Sequence, residues 1–205
     1  MTAAEGLGAP ERWVFGFGSL MWRPGFPYLE RRPAVLHGRR RAFCIYSVHH
    51  RGTAERPGLV LGLLPGGRTK GAAYRLAEAE WPAAYAYLLD REQPTETYRE
   101  ARRAVTLLAK GENAARRVEA LLFLSDQTHP QWAGDLPEAR QAELIAGAEG
   151  LSGRNVDYLR DLCRHLREVG ATDTRMERLL QRVEALEASP RRRDAAEPIL
   201  REPRG

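Results

Sequence analysis

The first clear hydrophobic feature of the chain is a continuous apolar run, Trp13–Phe17, which reads as a buried strand because it is aromatic and β-branched and is cut off by Gly18-Ser19. A loop marked by Pro24, Gly25 and Pro27 follows it. Ala34–Gly38 and Arg41–Val48 are β-forming segments. The stretches GLVLGLLPGG and TKGAAYRL place β-formers on both sides of Pro65-Gly66-Gly67, the pattern of a hairpin. Glu78–Asp90 changes the period: Trp81, Ala84, Tyr85 and Leu88 fall on one helical face. Two more strands are expected at Arg102–Leu108 and Arg117–Leu124. Three helices complete the pattern at Leu136–Ala148, Asn155–Val169 and Arg175–Ala188. In the second of these, Val156, Leu159, Leu162, Cys163, Leu166 and Val169 form the apolar stripe. Strands first and helices after, without strict βαβ alternation, predict an α+β domain on a mixed or antiparallel sheet. Closing such a sheet into a small barrel would remove its exposed edges.

The 205 residues suit one domain, and 43% hydrophobic with 29% charged residues are ordinary for a chain with a packed core. The expected division is a flexible segment over 1–12, a domain over 13–188 and a disordered Arg/Pro-rich tail over 189–205. The net charge is +5, and the tail supplies part of it with five Arg against three acids. The body is therefore mildly basic, which fits a small anionic partner and does not call for nucleic acid. No segment approaches the roughly 20 apolar residues of a spanning helix, and no signal pattern opens the chain. With only Cys44 and Cys163 and no CxxC motif, the expected setting is a reducing cytoplasm, with no disulfide and no zinc.

Candidate chemistry gathers at two places. Gly16-Phe17-Gly18-Ser19 is not a dinucleotide fingerprint, because Met21 stands where a third glycine belongs and Pro24 and Pro27 interrupt any following helix. It suits either a tight turn or a main-chain cradle for a carboxylate or oxyanion. The second place is the acid group Asp90, Glu92, Glu96 and Glu100, where Pro94 ends the helix just after Glu92 and Tyr98 offers an aromatic wall. Of Arg39, Arg40 and Arg41, alternate side chains face opposite ways, so one can point inward; Arg41 is the candidate for substrate binding. Tyr74 and Tyr98 are pocket walls or core. Cys44 and Cys163 lie in apolar surroundings, and His37, His49, His50, His129 and His165 lack ligand spacing, so no metal is expected.

Several segments occur together in one order: WVFGFGSLMW, GRRRAFCIYS at 38–47, RGT at 51–53, GRTKGAAYRL at 67–76, REQ at 91–93 with Tyr98 beyond it, ALLFLSD and NVDYL. In combination they resemble the ChaC-type, glutathione-specific γ-glutamylcyclotransferases, over roughly Trp13 to Glu187. The resemblance implies a six-stranded or similar closed sheet with flanking helices, no cofactor, and a small-molecule substrate, glutathione. It implies that Val14, Phe15, Gly16, Phe17, Gly18, Ser19 and Leu20 cradle the substrate and that Glu92 is the catalytic proton acceptor. Phe17 departs from the tyrosine common in the family, which removes one hydroxyl. The reaction so implied is cyclisation of the γ-glutamyl unit to 5-oxoproline with release of Cys-Gly, by a soluble monomer or weak dimer. Two rivals remain: the same chemistry on other γ-glutamyl amino acids or amines, and a basic binding or regulatory protein without activity.

Overall fold

The computed structural model describes residues 11–92, 97–109 and 111–189. The expected flexible N-terminus and disordered tail therefore fall, apart from residues 11, 12 and 189, outside the described residues, as do Pro94 and Glu96. Five strands, β1 (Arg12–Gly16), β2 (Glu30–Ser47), β3 (Gly58–Leu76), β4 (Tyr98–Leu107) and β5 (Arg116–Ser125), close into a barrel in the order β1-β3-β2-β4-β5. The neighbours are antiparallel except at the seam, where a parallel bridge pairs Val14 of β1 with Leu121 of β5. The closed sheet thus has five strands rather than six, with a separate two-residue ladder of β6 (Glu149–Gly150) and β7 (Gly153–Arg154).

The hairpin expected at Pro65-Gly66-Gly67 does not form there, and the two strands expected at 34–38 and 41–48 are one. β2 and β3 are continuous over 18 and 19 residues and pair along their whole length. The register steps from His37↔Arg68 to Arg39↔Pro65, so Gly38 alone faces Gly66 and Gly67. All three carry positive φ (77°, 85° and 70°), a backbone that only glycine adopts freely. The Pro-Gly-Gly triplet is therefore a bulge that bends a long strand pair around the barrel. The turn between these strands lies at 48–57.

Helices α1 (Trp81–Glu92), α2 (Glu138–Ile145), α3 (Asn155–Glu168) and α4 (Thr174–Ala188) pack around the barrel. The α3 stripe Val156, Leu159, Leu162 and Leu166 is buried, as are Leu179 and Val183 of α4. Each such side chain contributes roughly 1.5–3 kcal/mol on leaving water. Asp173 caps α4, its carboxylate accepting from the N–H groups of Arg175 and Met176. Cys44 and Cys163 are free and buried. Among the described residues no helix is long and apolar enough to cross a membrane.

Candidate active site

β1 runs into the core with Trp13, Val14 and Phe15 almost fully buried, and delivers the chain to the segment Phe17–Met21 at one end of the barrel. Gly16 and Gly18 are not positive-φ turn residues: neither is among the glycines in the left-handed region. They are small because space is short. A Cβ on Gly16 would lie 2.8 Å from the Leu20 Cβ, and one on Gly18 would lie 3.3 Å from the Tyr158 hydroxyl oxygen. A single 3₁₀ turn follows, Ser19–Met21, in which the Met21 N–H donates to Gly18 O at 2.9 Å and the Arg23 N–H to Ser19 O at 2.8 Å. Among the described residues, the N–H groups of Gly18, Ser19 and Leu20 have no main-chain acceptor of this kind. They are the open donors of that turn.

The turn is clamped from behind by three side chains. The Tyr74 hydroxyl reaches Leu20 O and Met21 O at 2.9 and 2.8 Å. Arg41 is buried, and its guanidinium donates to Phe17 O at 2.9 Å and Lys70 O at 2.6 Å, with Asp173 at 3.4 Å. Burial holds the Arg41 pKa below the ordinary guanidinium value against the pull of Asp173. From the α1 side, Arg91 donates to Ser19 Oγ at 2.9 Å, to Tyr87 Oη at 2.7 Å and to Arg23 O. Gly25 is needed for the fit against α1: its φ is 78°, and a Cβ there would strike Tyr87 Oη at 2.1 Å.

In front of the turn opens a cavity of about 510 Å³. Phe15, Phe17, Gly18, Ser19 and Leu20 line one wall, and Glu92, Tyr98, Tyr158 and Leu61 face them. Arg23, His50, Arg51 and Ser152 complete its rim. Glu92, the last described residue of α1, is largely buried with 18% of its side chain exposed; its Oε1 lies 3.2 Å from Arg91 Nε. Burial raises its pKa above the usual carboxylate value, and the neighbouring Arg91 charge opposes that rise. Tyr98 and Tyr158 are half-buried phenols whose pKa values are also raised, first by desolvation and, among other influences, by the Glu92 charge. Both therefore stay protonated as hydrogen-bond donors. Tyr98 donates to Leu61 O at 2.6 Å.

The structure thus brings together Phe15, Phe17, Gly18, Ser19, Leu20, Glu92 and Tyr98 of the residues expected from sequence. It does not bring Val14, Gly16, Arg41 or Tyr74 to the cavity surface. Val14 is wholly buried, Gly16 touches Leu20, and the donors of Arg41 and Tyr74 are spent on the carbonyls behind the turn. Asp90 and Glu100, the other described acids of the 90–100 group, do not line it either; Glu100 accepts from Tyr85 Oη. Sequence reasoning gave no role to Arg91 or to Tyr158. Both lie inside motifs already noticed, REQ and NVDYL. Tyr158 is fixed edge-on to Phe43 at 5.9 Å and near Trp22 at 6.2 Å, so its hydroxyl end overhangs Gly18. Phe17 brings no hydroxyl to the cavity, whose lining holds two phenols, Tyr98 and Tyr158.

Such a site has an acceptor for protons poised above the ordinary carboxylate range, open main-chain donors for a developing oxyanion, and a guanidinium joining the two. A family model for ChaC-like proteins matches residues 12–186. The chain is 38% identical over 174 residues to a glutathione-specific γ-glutamylcyclotransferase of Escherichia coli K12, covering 85% of this chain and 73% of that one. It is 32% identical over 177 residues to the glutathione-specific γ-glutamylcyclotransferase of Schizosaccharomyces pombe, covering 77% and 83%. In fold it is similar to the crystal structure of a γ-glutamylcyclotransferase specific to glutathione from yeast, with a TM-score of 0.79, 24% identity and coverage of 88% and 98%.

Proposed function

The chain belongs to the ChaC-like family, and from that premise we propose that it is a lyase that cleaves glutathione by cyclising its γ-glutamyl unit, releasing 5-oxoproline and Cys-Gly. The α-amine of the glutamyl residue attacks the γ-carbonyl of the same residue and closes a five-membered lactam. Nucleophile and electrophile are already joined, so the enzyme's first task is to hold the closing conformer. The cavity walls Phe15, Phe17 and Leu61 suit that task. The atoms balance without water or any donor: the N–H lost by the amine returns to the departing peptide nitrogen.

Glu92 takes a proton from the α-ammonium so that the free amine can attack, and hands it to the leaving nitrogen; the second proton, left on the ring nitrogen by the attack, follows by the same carboxylate, so the lactam is neutral and Cys-Gly departs as its ammonium. Its raised pKa helps the first step, because a carboxylate of ordinary acidity accepts poorly from an ammonium group. As the carbonyl carbon becomes tetrahedral, its oxygen gains charge, and the N–H groups of Gly18, Ser19 and Leu20 are the donors for it. Such donors contribute about 3–4 kcal/mol in other acyl-transfer sites. Arg91 ties Ser19 to Glu92 and so fixes the distance between acceptor and donors. A reducing, cytoplasmic setting goes with this reading, since it supplies the thiol substrate and suits two buried free cysteines.

The observation that carries the proposal is that Glu92 and the 17–20 segment line one cavity. Incubating the purified protein with reduced glutathione should yield 5-oxoproline and Cys-Gly in equal amounts. Absence of 5-oxoproline from glutathione would overturn the proposed substrate.

A further inference from the structure

Glu92, Arg91 and the 17–20 turn account for part of the cavity. The same cavity carries two cations that this chemistry does not use. Arg23 and Arg51 both line the cavity, and neither forms an ion pair among the described residues. They lie close enough for the Arg23 charge to weigh against protonation of Arg51, whose pKa is lowered chiefly by burial. A half-buried cation with a second cation near it is costly unless a ligand brings the opposite charge.

Arg51 is also held in position. Its N–H donates to Ser47 Oγ at 2.9 Å, and its guanidinium donates to Arg154 O at 3.2 Å and lies 5.2 Å over the Tyr158 ring. Its loop is packed too tightly to drift: a Cβ on Gly52 would come 2.1 Å from Gly58 N, and one on Gly58 would come 2.0 Å from Arg51 O. The β6–β7 turn secures it further, with Leu151 N–H to His49 O at 2.8 Å and Ser152 N–H to His50 O at 2.9 Å.

Glutathione carries two carboxylates. The glutamyl one sits on the same carbon as the reacting amine, so it stays beside Glu92. The glycyl one lies at the far end of the peptide. Tyr158 links the turn to Arg51, since its hydroxyl overhangs Gly18, 3.3 Å from where a Cβ would stand, while the Arg51 guanidinium lies 5.2 Å over its ring. We propose that Arg51, assisted by Arg23, binds the C-terminal carboxylate of the substrate and thereby selects γ-glutamyl peptides with a free terminal carboxylate over γ-glutamyl amines and esters. This inference rests on the reaction proposed above and assigns the far end of its substrate.

The test compares kcat/KM for reduced glutathione and for its glycyl monoethyl ester. Wild type should prefer the free acid by roughly 10- to 100-fold, as a site built around a polar partner rejects the analogue that lacks it. In Arg51→Gln, KM for glutathione should rise by a similar factor with kcat kept, the ester should be unaffected, and the preference should fall to near unity. Arg51→Lys should restore part of it. Equal loss on both substrates, or an unchanged preference, overturns the assignment. If Arg51→Gln does not fold, Arg23→Gln carries the test: its side chain is exposed, a several-fold loss of preference is expected, and none overturns the proposal. A wild type that turns over neither substrate refutes the cyclisation reading itself, whereas an active wild type indifferent to the ester refutes this inference alone.

Discussion

The Arg91 guanidinium donates to the Ser19 hydroxyl at 2.9 Å while its Nε faces Glu92, so one side chain spans the turn with open N–H groups and the acid proposed to move protons. Arg91 is also the influence that lowers the Glu92 pKa against burial. Arg91→Met should therefore act in two ways. The loosened geometry should lower kcat by about 10- to 100-fold, and the acid limb of the kcat profile should move to higher pH, because Glu92 loses its counter-charge. A pH–rate profile for 5-oxoproline release checks both. An acid limb that stays in place would mean that Arg91 only supports the loop.

Glu92→Gln keeps the shape of the side chain and removes its proton acceptor. Turnover of glutathione should fall by roughly 10²- to 10⁴-fold, the usual range for a general acid–base group. KM should change little. Far-ultraviolet circular dichroism should match wild type.

The same variant should be more stable than wild type at alkaline pH. A carboxylate whose folded-state pKa lies above its unfolded value is costly to the fold when ionised. That cost is absent well below the ordinary value of 4.5, grows as pH rises toward the folded-state value, and is complete above it. The Tm difference between Glu92→Gln and wild type should be positive at pH 8 and shrink as pH falls toward 4.5. Calorimetry across that range measures it.

Arg41 is the inward-facing member of its arginine triplet, and it is bonded to the turn rather than to the cavity. Arg41→Met should leave Phe17 O, Lys70 O and Asp173 short of a partner. The expected cost is about 3 kcal/mol in urea unfolding, in the range for breaking a buried charged contact. Activity should fall with it, since the carbonyl of Phe17 anchors the donors of Gly18 and Ser19.

Gly16→Ala would place a Cβ 2.8 Å from Leu20 Cβ. The turn must move to admit it. A displacement near 1 Å at a reacting centre costs on the order of 10²-fold, so kcat/KM should drop by about that factor with only a small change in Tm. An unchanged rate would show that the 17–20 segment tolerates movement and is not the oxyanion cradle.

Much of this was legible in the residues. The apolar run ending in Gly18-Ser19 predicted the strand that β1 is and the tight turn after it, and the helix periods of α3 and α4 followed their apolar stripes closely. The β2–β3 pair was not legible, because Pro65-Gly66-Gly67 satisfies the demands of a turn and of a bulge alike. Only the partner across the ladder, Gly38, decides between them. Arg41 reads as substrate-facing in the sequence because local alternation says which side of a strand is inward, not whether inward means cavity or core, and the same gap leaves Tyr74 open as pocket wall or core. Tyr158 was hidden for a related reason. It adjoins Leu159 on an amphipathic helix, and nothing nearby in the chain reveals that it overhangs Gly18.

The cavity takes its walls from β1, from the turn between β2 and β3, from the end of α1 and from α3, that is, from Phe15 through Tyr158. Activity is therefore expected to be a late event in the life of each molecule. A nascent polypeptide still lacking α3 has Glu92 and the glycines but not the Tyr158 wall of the cavity, so turnover should begin only once synthesis has passed the third helix. By the same token, proteolytic nicking that releases α3 should silence the enzyme even though no reacting group is lost.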